Sequence, residues 1–208
     1  MLDKEVILIG YSGHAFVVGE TVIQNGFSIK GYSDIIECSL NPFNLHYLGF
    51  EKDHDFIGWN EQNSFVLWIG DNKLRQNIAL LIERKKQKVN TVIHKSALIS
   101  SSSVIGDGTF INKNVSVNAL AIIGKTVILN TGCIVEHECI LKDAVHIAPG
   151  AVLAGSVTVG ERTFIGANSV VKQGIFIGID VIIGAGSVVI TNIPDNETWA
   201  GNPAKRIR

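Results

Sequence analysis

Ile134-Val135-Glu136-His137-Glu138-Cys139 is one unit of a pattern that dominates the second part of the chain. An aliphatic residue recurs at every sixth position: Ile99, Ile105, Ile111, Val117, Ile123, Leu129, Val135, Leu141, Ile147, Leu153, Val159, Ile165, Val171, Ile177, Ile183 and Val189. No step is missed. Four residues after each comes a small or β-branched side chain, as at Ser103, Thr109, Ala121, Cys133, Ala151, Thr163, Ser169 and Ser187. A strand has period 2 and a helix 3.6, so neither produces this spacing, whereas a hexapeptide β-solenoid does. Three six-residue flats close one triangular coil, and the aliphatic residues stack along its axis. Cys133 and Cys139 occupy the small-residue position and read as core. With Cys38 they form no C-x-x-C pair.

His137 is the residue on this scaffold best suited to chemistry. It lies two positions after Val135, off the core stack and near a corner. An imidazole takes and returns protons near neutral pH, and Glu138 beside it can orient or polarise the ring. His146 precedes Ile147, and Pro149-Gly150 then forms a rigid turn. His94, His137 and His146 offer no close ligand pair, being 43 and 9 residues apart, so no metal site is expected.

Upstream, the pattern is that of a small α/β domain with a parallel sheet. Val6-Ile7-Leu8-Ile9 reads as a buried strand, followed by Gly10-Tyr11-Ser12-Gly13-His14-Ala15 and a helix from Phe16 to about Gln24. A second strand runs from Ser28 to Tyr32 and ends at Ser33-Asp34. Residues 35–63 read as loops with room for one short helix. A third strand covers Ser64–Ile69, a helix spans about Asn72–Lys88 with Leu74, Ile78, Leu81 and Ile82 on one face, and Val89–Ile93 is the last strand. The division expected is 1–93 and 94–208, with 193–208 as cap.

A glycine turn between strand and helix presents backbone N–H groups and a helix N-terminus to an anion. This turn is G-x-x-G-H, so it carries no dinucleotide fingerprint, and geometry alone would also account for its glycines. Asp34 stands where an acidic residue meets ribose or sugar hydroxyls in nucleotide-binding folds. Gly70, Asn72 and Arg75 open a third loop at the same carboxyl edge, where such folds place ligands.

Composition narrows the field. The 208 residues are 46% hydrophobic with four prolines, which suits a packed protein. A net charge of −1 gives no electrostatic case for nucleic acid or an anionic membrane. No apolar run reaches the roughly 18–20 residues that span a bilayer, and no signal peptide precedes Val6, so a cytoplasmic location is expected.

Together, Gly-Tyr-Ser-Gly-His-Ala, Ile-Gly-Asp-Asn-Lys-Leu-Arg, Val-Glu-His-Glu-Cys, His-Ile-Ala-Pro-Gly-Ala-Val-Leu-Ala-Gly and Gly-Asn-Pro-Ala-Lys-Arg give the chain a resemblance to the PglD/NeuD-like sugar acetyltransferases. The resemblance implies a Rossmann-like N-terminal domain holding a nucleotide-linked amino sugar. It also implies a left-handed parallel β-helix, and a homotrimer with acetyl-CoA in the groove between neighbouring helices. It casts His137 as general base with Glu138 tuning it, and Gly155 as donor of an oxyanion N–H. Gly155 is one coil beyond His137 and so on the same edge. His146, Ala167, Ala185 and Lys205 match positions toward acetyl-CoA; Ser12, Gly13, His14, Asp34, Gly70 and Asn72 match the nucleotide-sugar pocket. Ile35-Ile36 departs from the family, whose members often carry a second polar residue after the aspartate.

The expected activity is acetyl transfer from acetyl-CoA to a nucleotide-linked 4-amino-4,6-dideoxy sugar, without a metal. The competing expectations are a sialic acid (nonulosonate) O-acetyltransferase, a non-catalytic sugar-nucleotide-binding solenoid, and a zinc enzyme resembling the γ-carbonic anhydrases.

Overall fold

Four parallel strands make the N-terminal sheet in the order β2-β1-β3-β4: β1 (Lys4–Ile9), β2 (Phe27–Ser33), β3 (Ser64–Leu67) and β4 (Lys88–Val89). The computed structural model describes residues 4–11, 13–60 and 62–208, and the chain divides into two units, Met1–Val92 and Ile93–Arg208. Two helices connect the strands, α1 (Gly13–Gln24) and α2 (Asn72–Arg84). Val6 to Ile9 are all buried, as an uninterrupted apolar run in a covered parallel strand requires.

Several boundaries differ from those expected. Helix α1 starts at Gly13 rather than Phe16, so the glycine turn feeds the helix directly. Strand β3 ends at Leu67, although the Trp68 N–H still donates to the Ile9 carbonyl at 2.9 Å. Helix α2 stops at Arg84, four residues early. Lys85 caps it, and Lys86 takes a φ of 58° that a helix cannot continue through. Its buried stripe holds Ile78, Ile82 and the unexpected Arg75, whereas Leu74 is exposed. Among the described residues, 35–63 contain no helix. Part of that stretch lies along β2 instead, where the Tyr32 N–H donates to the His46 carbonyl and the Tyr32 carbonyl accepts from the Leu48 N–H, each at 2.9 Å.

The second unit is a left-handed parallel β-solenoid. Its two-residue strands stack in three sheets. One face has six strands (98–99, 116–117, 134–135, 152–153, 170–171, 188–189). The next has five (104–105, 122–123, 140–141, 158–159, 176–177). The third has eight, including 110–111, 128–129, 146–147, 164–165 and 182–183. Paired residues are 18 apart, as Val135 with Leu153, so one coil consumes three hexapeptides. From Ile111 to Val189, the sixth-position residues form one buried cluster with Cys133, Cys139 and the other small residues. Burial pushes the Cys133 thiol up to about 12, which keeps it neutral and apolar in that stack.

The corners show why this sequence coils. From residue 108 to 186, every sixth residue has a positive φ, including Gly108, Asn114, Glu138, Gly150, Asn168 and Gly186. Each is the second residue of a tight turn that rotates the chain onto the next face. Left-handed backbone there favours Gly and Asn, yet Leu120, Thr126 and Arg162 adopt it too. The ladder on both sides therefore imposes a conformation that these side chains do not prefer.

At the C-terminal end the spacing contracts. Ile193 bridges Ile177, and Thr198 pairs with Ile182, both 16 residues apart. Strand 198–200 then pairs antiparallel with 205–206, completing the eight-strand face. Trp199 Nε1 donates to Glu197 at 2.7 Å, and Arg206 pairs with the same carboxylate at 3.0 Å. No helix among the described residues is long and apolar enough to cross a membrane.

Candidate active site

The turn at 137–138 joins the six-strand face to the five-strand face. Its backbone is fixed from both neighbouring coils. Glu138 N–H donates to Ala119 O at 2.9 Å, and His137 O accepts from Ser156 N–H at 2.9 Å. His137 Nδ1 lies 3.1 Å from Glu138 Oε2. A carboxylate only accepts, so this contact puts the ring proton on Nδ1 and leaves Nε2 with its lone pair outward. The side chain is 50% exposed, which leaves Nε2 accessible.

Gly155 lies directly beneath the ring, one coil on. A Cβ at that position would come within 2.6 Å of Nε2 and closer still to Cε1. Glycine is thus required by the imidazole rather than by the backbone, whose φ there is not in the left-handed region. At the corners 113, 125, 131 and 179 the corresponding N–H groups are capped by Asn112, Asp143, Asn130 and Asp195. At corners such as Ala119 and Glu161, among the described residues, they are not; what distinguishes Gly155 is the imidazole packed on it. Among the described residues, the Gly155 N–H has no acceptor. It stands beside a histidine nitrogen that can take a proton.

The other solenoid candidates lie elsewhere on the coil. His146 is on the eight-strand face, with its ring 5.1 Å from Phe164 and Nε2 3.4 Å from the Asn130 amide. Asn130 also receives a bond from Asn112 at 3.0 Å, so a buried amide ladder orients this histidine. Ala167 and Ala185 sit at the corner where the eight-strand face meets the six-strand face. Lys205, exposed on the terminal antiparallel strand, belongs to the eight-strand face as well. Within one chain, His137, Glu138 and Gly155 therefore share one corner, while His146, Ala167, Ala185 and Lys205 surround a different face. Among the described residues, no group of three His, Cys, Asp or Glu is placed to hold a metal ion.

In the N-terminal unit a cavity of about 370 Å³ opens at the carboxyl edge of the sheet. This is where β2 and β3 flank β1 on opposite sides, the switch point at which such sheets bind ligands. Gly10, Asp34 and Gly70 line it, each following a different strand. Gly10 has a φ of 88°, which only glycine adopts without strain. Asp34 is held by two backbone N–H groups, from Tyr11 at 2.8 Å and Ile35 at 2.7 Å. Ser12 lies outside the described residues. Gly13 and His14 begin α1. Asn72, the first residue of α2, turns its Oδ1 to Arg75 Nη2 at 2.9 Å.

Arg75 organises this third loop from beneath. Its guanidinium, buried in the loop, donates to the carbonyls of Ile69 at 2.9 Å and Gly70 at 3.2 Å. Burial lowers it to about 9, with Asp71 acting in the opposite sense. Glu51 and Lys52 also line the cavity. They belong to the 35–63 stretch, where no periodicity marks them, and only the buried state of a carboxylate singles Glu51 out.

Comparison with known proteins matches both units. Residues 5–81 match the PglD N-terminal domain, residues 138–173 the bacterial transferase hexapeptide, and residues 156–191 the hexapeptide repeat of succinyl-transferase. The acetyltransferase domain of PglB from Neisseria gonorrhoeae FA1090 is 31% identical, covering 99% of this chain and 100% of that one, with a TM-score of 0.91. The chain belongs to the PglD-like hexapeptide-repeat acetyltransferases. That PglD-like domain has a second structure in complex with acetyl coenzyme A. PerB from Caulobacter crescentus, in complex with CoA and GDP-perosamine, is 34% identical over 98% of this chain and 97% of that one, with a TM-score of 0.90. WeeI from Acinetobacter baumannii AYE, 23% identical over 97% of this chain and 99% of that one (TM-score 0.86), shares the PglD-like fold. Among curated protein sequences no match was found.

Proposed function

We propose that the protein transfers the acetyl group of acetyl-CoA to the amine of a nucleotide-linked 4-amino-4,6-dideoxy sugar, as a cytoplasmic homotrimer without a metal. The observation that carries this is the corner at 137–155: an imidazole with its Nδ1 proton on Glu138, packed on a glycine whose N–H has no acceptor among the described residues. The likeness to a perosamine N-acetyltransferase with CoA and GDP-perosamine bound supports the choice of an amine as acceptor.

The chemistry follows from those atoms. The sugar amine attacks the thioester carbonyl carbon through its nitrogen lone pair, forming the C–N bond. His137 Nε2 takes the proton that the nitrogen sheds, and Glu138 stabilises the imidazolium. The carbonyl oxygen gains charge, which the Gly155 N–H meets. The C–S bond then breaks, and the proton returns to the departing thiolate, giving CoA thiol and the N-acetyl sugar. In this reading residues 1–93 hold the nucleotide sugar through Ser12, Gly13, His14, Asp34, Gly70 and Asn72. Residues 94–208 carry out the transfer.

The separation of the two candidate groups supports the homotrimer of this reading. His146, Ala167, Ala185 and Lys205 surround a face that does not include the His137 corner, so in this reading a neighbouring copy supplies the acetyl-CoA contacts. The five-strand face beside that corner exposes Val104, Ile122 and Phe176 in one ladder, an apolar surface suited to burial. Mixing tests this. His137→Ala and His146→Ala copies, each with little activity, would regain turnover when co-expressed, because some sites then receive both histidines. Failure of co-expressed copies to recover any activity would place both residues in a single-chain site.

The deciding experiment is CoA-thiol release from acetyl-CoA with GDP-, UDP- and dTDP-linked 4-amino sugars, and with free and CMP-linked sialic acid. The wild type should turn over one amino sugar, and His137→Ala should lower kcat at least about a hundredfold with the fold intact. Turnover with sialic acid alone would make it an O-acetyltransferase, and full activity in His137→Ala would remove the base from the mechanism.

A further inference from the structure

Glu51 sits in the wall of the N-terminal cavity, and the mechanism above gives it no role. It is only 5% exposed. Ser33, itself fully buried at the end of β2, grips it at two points: the serine hydroxyl donates to Glu51 Oε2 at 2.7 Å and accepts from the Glu51 N–H at 2.9 Å. Among the described residues, the second oxygen, Oε1, accepts no hydrogen bond. Oε1 is not among the buried side-chain oxygens that lack a partner, so it keeps a solvent-accessible surface in a residue that lines the cavity. One oxygen is held by the protein, and the other is open to a donor from a ligand.

The surroundings indicate which part of a ligand it meets. Phe50, Trp68, Ile69 and Leu74 line the same cavity, an apolar and partly aromatic wall suited to a flat heterocycle. Asp34, by contrast, is tied to the Tyr11 and Ile35 N–H groups beside the glycine turn, the part of such a fold that meets phosphate and ribose. Lys52 Nζ lies 5.7 Å over the Phe50 ring and adds a cation at the rim. Glu51 and Lys52 also border a second cavity of about 440 Å³, but Asp34 and Gly10 line only the first.

Resting on the nucleotide-sugar reading of this pocket, we infer that Glu51 is a specificity-determining residue that selects guanine as the base. A carboxylate is an acceptor and nothing else. Guanine presents N1–H and the N2 amino group side by side, so the free oxygen meets a donor edge with its partner donor, rather than an acceptor, next to it. Uracil and thymine present a single N3–H between two carbonyls, whose lone pairs repel a carboxylate brought to that edge.

Calorimetric titration with GDP, UDP, dTDP and CoA tests this on the intact protein. The wild type is expected to bind GDP at least about tenfold more tightly than UDP or dTDP, the scale of one hydrogen bond to a charged group. Glu51→Gln, which puts an amide donor where the acceptor was, should erase that preference by weakening GDP about tenfold. UDP should stay within about twofold and CoA unchanged. Glu51→Asp, which keeps the charge on a shorter arm, should fall between. Loss of GDP and UDP binding in equal measure would place Glu51 on the ribose or in the fold and overturn the inference, as would unaltered GDP binding. A wild type that binds CoA but no nucleoside diphosphate would overturn the nucleotide-sugar reading as well, whereas nucleotide binding without a Glu51-dependent base preference overturns this inference alone.

Discussion

The two units place functional groups by opposite means. In the solenoid, a residue's position follows from its number: 18 residues carry the chain around once, so His137 and Gly155 are stacked neighbours because of the interval between them. In the N-terminal unit no interval does this. Asp34, Glu51 and Gly70 meet because loops of different lengths leave the same edge of a parallel sheet, and buried side chains such as Ser33 and Arg75 hold those loops in place. A periodic scaffold offers little adjustable space at its corners, whereas a set of loops can vary its lining without disturbing the sheet. In the proposed reading the transfer chemistry is built on the rigid repeat, and substrate choice on the loops.

The sharpest way to break this contrast is Gly155→Ala. The added methyl would collide with the imidazole, and the surrounding rungs give the backbone no room to withdraw. The ring must swing off Glu138, moving Nε2 from its place against Gly155. A misplacement of that order costs about a hundredfold. The expected outcome is a kcat lowered about a hundredfold, with Tm and nucleotide affinity close to wild type. Unimpaired turnover would show that the register of the coil does not position the base. A loss of Tm instead would show that the methyl strains the coil rather than the chemistry.

That same contrast explains what can be seen in the sequence. The unbroken six-residue interval discloses the solenoid, its core and the pairing of His137 with Gly155, because in a repeat the spacing is the structure. It does not disclose which candidates share a corner until each is assigned to a face. His146 is nine residues from His137, one and a half hexapeptides, and this puts it on another face. In the N-terminal unit the strands and glycine turn stand out through apolar runs and punctuation. Arg75 falls on the buried side of α2 although its charge suggests the exposed side, because loop carbonyls, which no periodicity reveals, receive its guanidinium. Glu51 is hidden for a similar reason: its partner Ser33 is 18 residues away through an irregular loop, and here that number carries no meaning.

Asp34→Asn sharpens the contrast from the other side, with a smaller effect. The substitution keeps the shape but replaces one acceptor oxygen with a donor and removes the charge that the Tyr11 and Ile35 N–H groups now meet. A hydrogen bond to a charged group is worth about 1.5–3 kcal/mol, so KM for the nucleotide sugar should rise by roughly ten- to a hundredfold. Because ribose is common to all the candidate substrates, the rise should be the same for guanine, uracil and thymine nucleotides, unlike that of Glu51→Gln. The KM for acetyl-CoA should not move, and kcat at saturating sugar should stay within a fewfold of wild type, since the proposed base and oxyanion donor belong to the other unit. Steady-state kinetics with both substrates varied distinguishes these parameters. A fall in kcat with unchanged KM would mean that Asp34 acts in the transition state, and the division between a loop-built binding site and a repeat-built catalytic corner would have to be abandoned.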